Sequence, residues 1–233
     1  MEARLKVDWA APWFEPWREV GEPVLHAWAT QPLHEALNRS VEAPVRFVSA
    51  SQLPEGEPYE SFIFRTHRCP TRENAHDFFN GLAWLKFPRV KARLNEAQAG
   101  EIAQAGVGDR RGPVRDAITV FDENGAFLDA PAALWEALLA REWRRLFVEL
   151  RPLWSEARLT VFGHAVLEKL LAPRKDLTAH VWCGEQAFTN ARLAAKPFTP
   201  LPLMGIPGWH PENQNFCFYD DSLVFRPARR AAS

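Results

Sequence analysis

The residues most able to do chemistry lie in TRENAHDFFNGLAWLKFPRVKARLN, residues 71–95: Glu73, His76, Asp77, Asn80 and Trp84. At about 100° per residue, a helix through Glu73–Lys86 puts these side chains on one arc, with Gly81 beside it. Ala75, Phe78, Phe79, Leu82, Ala83 and Leu85 take the opposite, apolar arc and define a core face. A solvated face is usually rich in Lys, Arg and Glu; this one holds residue types common in pockets. An imidazole oriented by an amide four residues on can act as an acid–base catalyst. The adjacent His76–Asp77 pair also suits metal phosphohydrolase chemistry, but neighbouring helical side chains diverge, so a shared cation needs ligands from elsewhere. No HxxxH or HExxH occurs. No metal ligand is assigned, and the cofactor is left open with a divalent metal as one alternative. The same residues also fit a surface face carrying a half-buried Trp and an Asn–His hydrogen bond.

Two further sets are candidates. His164 and Glu168 have i,i+4 spacing, and His164 follows Gly163 at an expected helix start, where free N–H groups suit an anion and the dipole favours neutral imidazole. Arg110, Arg111, Arg115 and Asp116 surround a Gly-Pro loop; their guanidiniums can grip a phosphate or carboxylate, or simply form a solvated loop. Asp122 and Glu123 flank Asn-Gly and are read as turn residues, and Asp220 and Asp221 as local caps or ion-pair partners.

The elements that must position these groups follow from pattern. Thr71 is the expected cap of a helix starting at Arg72 and ending at Lys86 or Phe87, since the residue before Pro88 avoids helical geometry. Pro88–Ala105 reads as a second helix, basic at its start through Arg89, Lys91 and Arg93 and ended by Gly106 and Gly108. Ala117–Phe121, then Asn124-Gly125, reads as a strand and hairpin turn. Strands are also expected at Val45–Ala50, Leu159–Phe162, Leu177–Cys183 and Ser222–Phe225, with helices at Pro32–Arg39 (capped by Thr30), Pro131–Trp143 and His164–Leu171. Leu159–Cys183 then resembles a βαβ unit. Gly56–His67 fits strand or helix, and Leu146–Leu150 fits a strand or a helix tail.

At 233 residues and net charge −1, the chain can bury a substantial core and gives no electrostatic support for binding nucleic acid. Its three cysteines include no CxxC, which favours a reducing compartment; no signal-like or membrane-spanning apolar run occurs, so a cytoplasmic location and no membrane partner are expected. GxGxxG, GxxxxGK[ST] and GxSxG are absent. Ten Trp and 19 Pro point to ring-lined core and ordered connections. The expected architecture is α+β, with mixed α/β as the alternative: one domain whose small central sheet takes the Val45, Ala117, Leu159 and Leu177 strands, flanked by helices. Residues 1–43 form a Trp-rich arm, 44–195 the core, 196–226 a Pro-rich wrap and 227–233 a frayed tail.

The runs HDFFNGLAWLKFPRVKARLN, RDAITVFDENGA, VFGHAVLEKL and GIPGWHPENQNFCFYDDSLVFRP, in this order, resemble the bacterial family called domain of unknown function 3025. The resemblance extends from about Pro44 onward and implies a soluble bacterial protein, with no activity or site residue to carry over. Residue chemistry alone supports two functions. One is a hydrolase or transferase for a small anionic or nucleotide-like substrate, with His76, Asp77, Asn80 and His164 as catalytic groups and Glu73, Trp84, Arg115, Asp116 and Glu168 as binding groups. It requires His76 and His164 to lie within about 12 Å of each other. The alternative is a non-catalytic protein-binding scaffold presenting Trp9, Trp13, Trp17 and Trp28 as an exposed cluster.

Overall fold

A computed structural model describes residues 5–39, 43–106, 112–184 and 187–228. The Trp-rich arm forms helix α1 (Arg18–Trp28) and lays its rings on the body rather than on solvent. Helix α2 (Leu33–Asn38) follows, then strand β1 (Arg46–Ser49), helix α3 (Tyr59–Thr66) and strand β2 (Arg68–Thr71). β1 and β2 pair in parallel, with α3 as their crossover. Helices α4 (Ala75–Lys86) and α5 (Pro88–Ala105) meet at Phe87, where Pro88 both stops one helix and starts the next.

Helix α6 (Pro113–Asn124) leads into strand β3 (Gly125–Asp129). Helix α7 (Ala132–Ala140), strand β4 (Arg158–Val161), helix α8 (His164–Lys169), strand β5 (Thr178–Trp182), helix α9 (Asn190–Ala194) and strand β6 (Phe198–Pro202) complete the regular elements. The second sheet has the order β4-β3-β5-β6. The fold is α+β: two small sheets flanked by helices.

Several expectations are corrected. Ala117–Phe121 is helical. Gly112 caps α6 with Pro113 at its first position, and Val114, Ala117, Ile118 and Phe121 repeat at i, i+3, i+4, i+7, which buries one helical stripe. Asn124-Gly125 is therefore a helix-to-strand joint, not a hairpin. Asn74, not Thr71, caps α4, its Oδ1 accepting the Asp77 N–H at 2.8 Å; Thr71 ends β2. Thr30 does not cap α2. β4 and β5 are not neighbours, because β3 lies between them, so they form no βαβ unit. The four expected strands do not share one sheet either: β1 belongs to the smaller pair. Ser222–Phe225 is a turn closed on the Asp221 carbonyl, and Phe198–Pro202, read as part of the Pro-rich wrap, is a strand. Residues 145–149 form a π-helical turn.

Core packing explains how α4 comes to sit at the centre. Phe14 stacks on Phe79 (5.6 Å) and Trp28 on Phe78 (5.5 Å), so the arm covers the apolar face of α4. Gly81 allows α2 close against that helix: a Cβ there would lie 2.5 Å from Leu37. Burying rings of this size contributes about 2 kcal/mol or more each. With the apolar side of α4 closed off, its other side is left to face α6 and α8.

Candidate active site

The polar face of α4, the end of α6 and the start of α8 enclose a cleft of about 410 Å³, with α5 and α3 supplying the remaining walls. Its apolar lining includes Tyr59, Ile63, Leu94 and Ile118. Gly163 sets the approach of α8 to α6. A Cβ on it would stand 2.5 Å from backbone atoms of Asn124 and Glu123, a contact no side-chain rotation relieves. The Phe162 and Gly163 N–H groups both donate to the Gly125 carbonyl at 2.8 Å, fixing the joint. His164 is thereby held beside Asp122 and Glu123.

His76 and His164, 88 positions apart in sequence, bring their Nε2 atoms to 3.1 Å, with ring planes near perpendicular. This is far inside the separation that a single site requires. On the other side of the first ring, His76 Nδ1 lies 3.0 Å from Glu168 Oε2. The carboxylate orients the ring and holds the proton on Nδ1, leaving the Nε2 lone pair directed at His164. His164 Nδ1 is buried without a hydrogen-bond partner among the described residues; Asp122 Oδ2 is 3.8 Å from it. Glu123 Oε2 stands 3.6 Å from His164 Nε2. Burial lowers the pKa of His164 to about 4 against the opposing pull of Asp122, so the ring is neutral at pH 7.

Below the histidines lies a closed polar network. Lys91 Nζ donates to both oxygens of Asp122 (2.6 and 2.9 Å) and to Asn80 Oδ1 (2.8 Å), and sits 5.5 Å over the Trp84 ring. Asn80 Nδ2 donates to the Tyr59 hydroxyl at 3.2 Å, which in turn contacts Cys69 Sγ at 3.2 Å. Burial raises Asp122, but Lys91 and the imidazoles outweigh it and leave the carboxyl below its ordinary range. Burial likewise raises Glu123, and it pushes the Cys69 thiol up to about 11.

The expected groups thus divide. His76, His164 and Glu168 converge. Asp77 lines the cleft but is committed to Arg72, accepting from its backbone N–H (2.7 Å) and its guanidinium, so it does not orient His76. Asn80 belongs to the Lys91–Tyr59 network and does not orient His76 either. Trp84 is buried beneath Lys91. Glu73 does not line the cleft: it accepts from Trp28 Nε1 (2.7 Å) and the Leu33 N–H (2.9 Å), supplying the cap that α2 lacks. Arg115 is buried on α6 and donates to the Gly106 carbonyl at 3.4 Å, outside the cleft, and Asp116 pairs with Lys196. Arg110, Arg111 and Gly108 lie outside the described residues. Asp122, Glu123 and Lys91 are site residues that the sequence reading assigned to a turn and to a basic helix start; reading residues 113–124 as a helix would have carried both acids to its last turn.

Comparison with curated proteins and with solved structures finds no match. No helix among the described residues is long and apolar enough to cross a membrane. One family model matches residues 45–190 and 184–229, a span that holds His76, Glu123, His164 and Glu168, and the chain therefore belongs to that protein family of unknown function, DUF3025.

Proposed function

We propose that this protein is a hydrolase that binds a small molecule in the cleft between α4, α5 and α6 and activates water at the His76–His164 pair. The observation that carries the reading is the 3.1 Å approach of two imidazole Nε2 atoms at the edge of a cleft, with Glu168 behind one ring. In this role His76 accepts the proton of the attacking water at Nε2 and Glu168 stabilises the imidazolium so formed. Neutral His164 holds the water or passes its proton onward.

The apolar lining near Ile63, Leu94 and Ile118 suits the body of a substrate, and the histidine end suits its polar, reacting group. An anionic or nucleotide-like substrate would have to find a partner other than Arg115. Arg72 is the guanidinium at the cleft, and it is already paired with Asp77. The scaffold reading has less support, since Trp9 and Trp17 are buried in the core rather than grouped on the surface.

The test is a turnover screen of the purified chain against chromogenic carboxylic esters, phosphate esters and amides, repeated with His76→Ala and His164→Ala. Hydrolysis that falls by about 100-fold or more in each variant, the scale of general acid–base help, supports the proposal. Hydrolysis that survives both substitutions unchanged, or none on any substrate class, counts against it.

A further inference from the structure

We infer that His76 Nε2, His164 Nε2 and a Glu123 carboxylate oxygen form a binding site for one divalent transition-metal cation, Zn²⁺ being the best fit. This deepens the reading of the cleft as a reaction site and rests on it only for its purpose; the geometry stands by itself.

The three ligand atoms lie within 4.8 Å of one another. Bonds of about 2.0–2.1 Å to a tetrahedral cation would put two nitrogens about 3.3–3.4 Å apart, and a right-angled arrangement would put them about 2.9 Å apart. The observed 3.1 Å falls between. Each ring also has a carboxylate on its far side: Glu168 at 3.0 Å from His76 Nδ1 and Asp122 at 3.8 Å from His164 Nδ1. Glu168 favours a proton on His76 Nδ1; Asp122, at 3.8 Å, acts on His164 Nδ1 through its charge and not through a hydrogen bond. With both rings protonated at Nδ1, the two Nε2 lone pairs have no proton between them, and a cation seated off the N–N line can accept both; with one Nε2 protonated, the same contact is a hydrogen bond. The carboxylate of Glu168 behind His76 is the arrangement that fixes tautomer and orientation at metal sites.

Charge points the same way. Glu60, Asp77, Asp122 and Glu123 line the cleft against Arg72 and Lys91. Arg72 is committed to Asp77, and Lys91 to Asp122. Glu123 is left facing the imidazoles, and a divalent cation there would balance it. Two nitrogens and one oxygen leave a coordination position toward the cleft, because His76 and Glu123 are partly exposed while His164 is not. A water in that position would have its pKa lowered by the cation and would be the nucleophile in place of one activated by His76, whose Nε2 lone pair the cation takes.

The experiment is titration of chelator-treated full-length chain with Zn²⁺ by calorimetry, and with Co²⁺ by visible absorption. One equivalent should bind, and Co²⁺ should give the intense bands of a low-coordinate N/O site. His164→Ala and Glu123→Gln should each weaken Zn²⁺ binding, His164→Ala by about 100-fold or more, at the upper end of what even an outer-shell partner is worth. His26→Ala, an exposed imidazole away from the cleft, should leave binding unchanged. Circular dichroism melts of each variant separate lost binding from lost folding, and the wild-type Co²⁺ spectrum reads the ligand set without any variant. Absence of stoichiometric binding, or binding that survives His164→Ala, overturns the inference. Neither result touches hydrolysis by a metal-free His76–His164 pair, which would then persist in chelator; conversely, one bound cation with no turnover would retain the site and remove the hydrolase reading.

Discussion

The cleft and the C-terminal wrap are both rich in buried aromatic and polar side chains, yet they differ in how completely those groups are satisfied. Beneath the wrap, Phe147 of the π-helical turn stacks with Trp143, Trp154 and the wrap's Tyr219, and Gly205 lets the wrap pass so close that a Cβ would meet Phe147 at 2.7 Å. Its polar atoms are closed off. Asn213, fully buried, donates to the Met204 and Ile206 carbonyls, Tyr219 donates to Gly205, and Trp143 and Trp154 each reach a carbonyl. The cleft floor is equally closed through Lys91, Asn80 and Tyr59. At the cleft edge the closure is less complete: the two imidazoles share one Nε2–Nε2 contact at 3.1 Å, Glu123 Oε2 stands 3.6 Å from His164 Nε2, and His164 Nδ1 is buried with no hydrogen-bond partner among the described residues. Buried polar groups are normally paired, so the unpartnered His164 Nδ1 sets this edge apart from the floor.

The largest effect should come from breaking the packing beneath the wrap. Phe147→Ala removes a fully buried ring and opens a cavity beside Gly205, at a cost of about 4 kcal/mol. Urea unfolding should show the loss, while Zn²⁺ affinity of the folded protein stays at the wild-type value. A loss below about 1 kcal/mol would mean that the packing between the wrap and Phe147 does not hold the fold together.

The cleft floor gives the next effect, through pH. Cys69 ionises at about 11 in the folded chain, raised by burial from 9.0. Between those values the unfolded chain has released a proton that the native chain retains. Unfolding therefore releases protons, and stability falls as pH rises: full below about pH 9, lost progressively to about pH 11. The contribution is at most about 3 kcal/mol, and Tyr59, also raised by burial, acts in the same direction at higher pH. Denaturation midpoints of wild type and Cys69→Ala at pH 7 and pH 10.5 measure it. The variant should lose clearly less stability on alkalinisation; an identical loss would show that the floor is open to water and that its closure has been overstated.

The same contrast explains what could be read from sequence. The core face of α4, the α4–α5 break at Pro88 and the strands at Arg46–Ser49, Arg158–Val161 and Thr178–Trp182 were legible because period, proline and β-branching are local signals. His76, His164 and Glu168 were legible as reactive types at helical spacing. Their partners were not. Residues 117–121 carry strand-type composition, and Asn-Gly mimics a hairpin turn, so local chemistry outweighed the i, i+3, i+4, i+7 stripe from Val114 to Phe121. That choice hid Asp122 and Glu123. Glu73 was misplaced for a different reason: whether an acid faces a cleft or braces a neighbouring helix end depends on where α2 lies, and nothing within residues 71–95 encodes that. Asp77 does line the cleft, and its pairing with Arg72, five residues back, is the local signal that was passed over.

The smallest effect on stability should be the most informative about the cleft edge. Glu168→Gln keeps the shape of the side chain and removes its charge. Both partners are well exposed, His76 at 31% and Glu168 at 41%, so the pair contributes at most about 0.5 kcal/mol after solvent screening. Thermal and urea midpoints should therefore be indistinguishable from wild type. The ring of His76, however, loses the carboxylate that holds its proton on Nδ1, and the amide can present either an acceptor or a donor there. The tautomer with Nε2 protonated becomes accessible, and that tautomer offers no lone pair to His164, to water or to a cation. Zn²⁺ affinity should fall about 10- to 100-fold with no change in stability. If stability fell and affinity did not, Glu168 would be a brace like Glu73, and the unsatisfied edge would have to be explained without it.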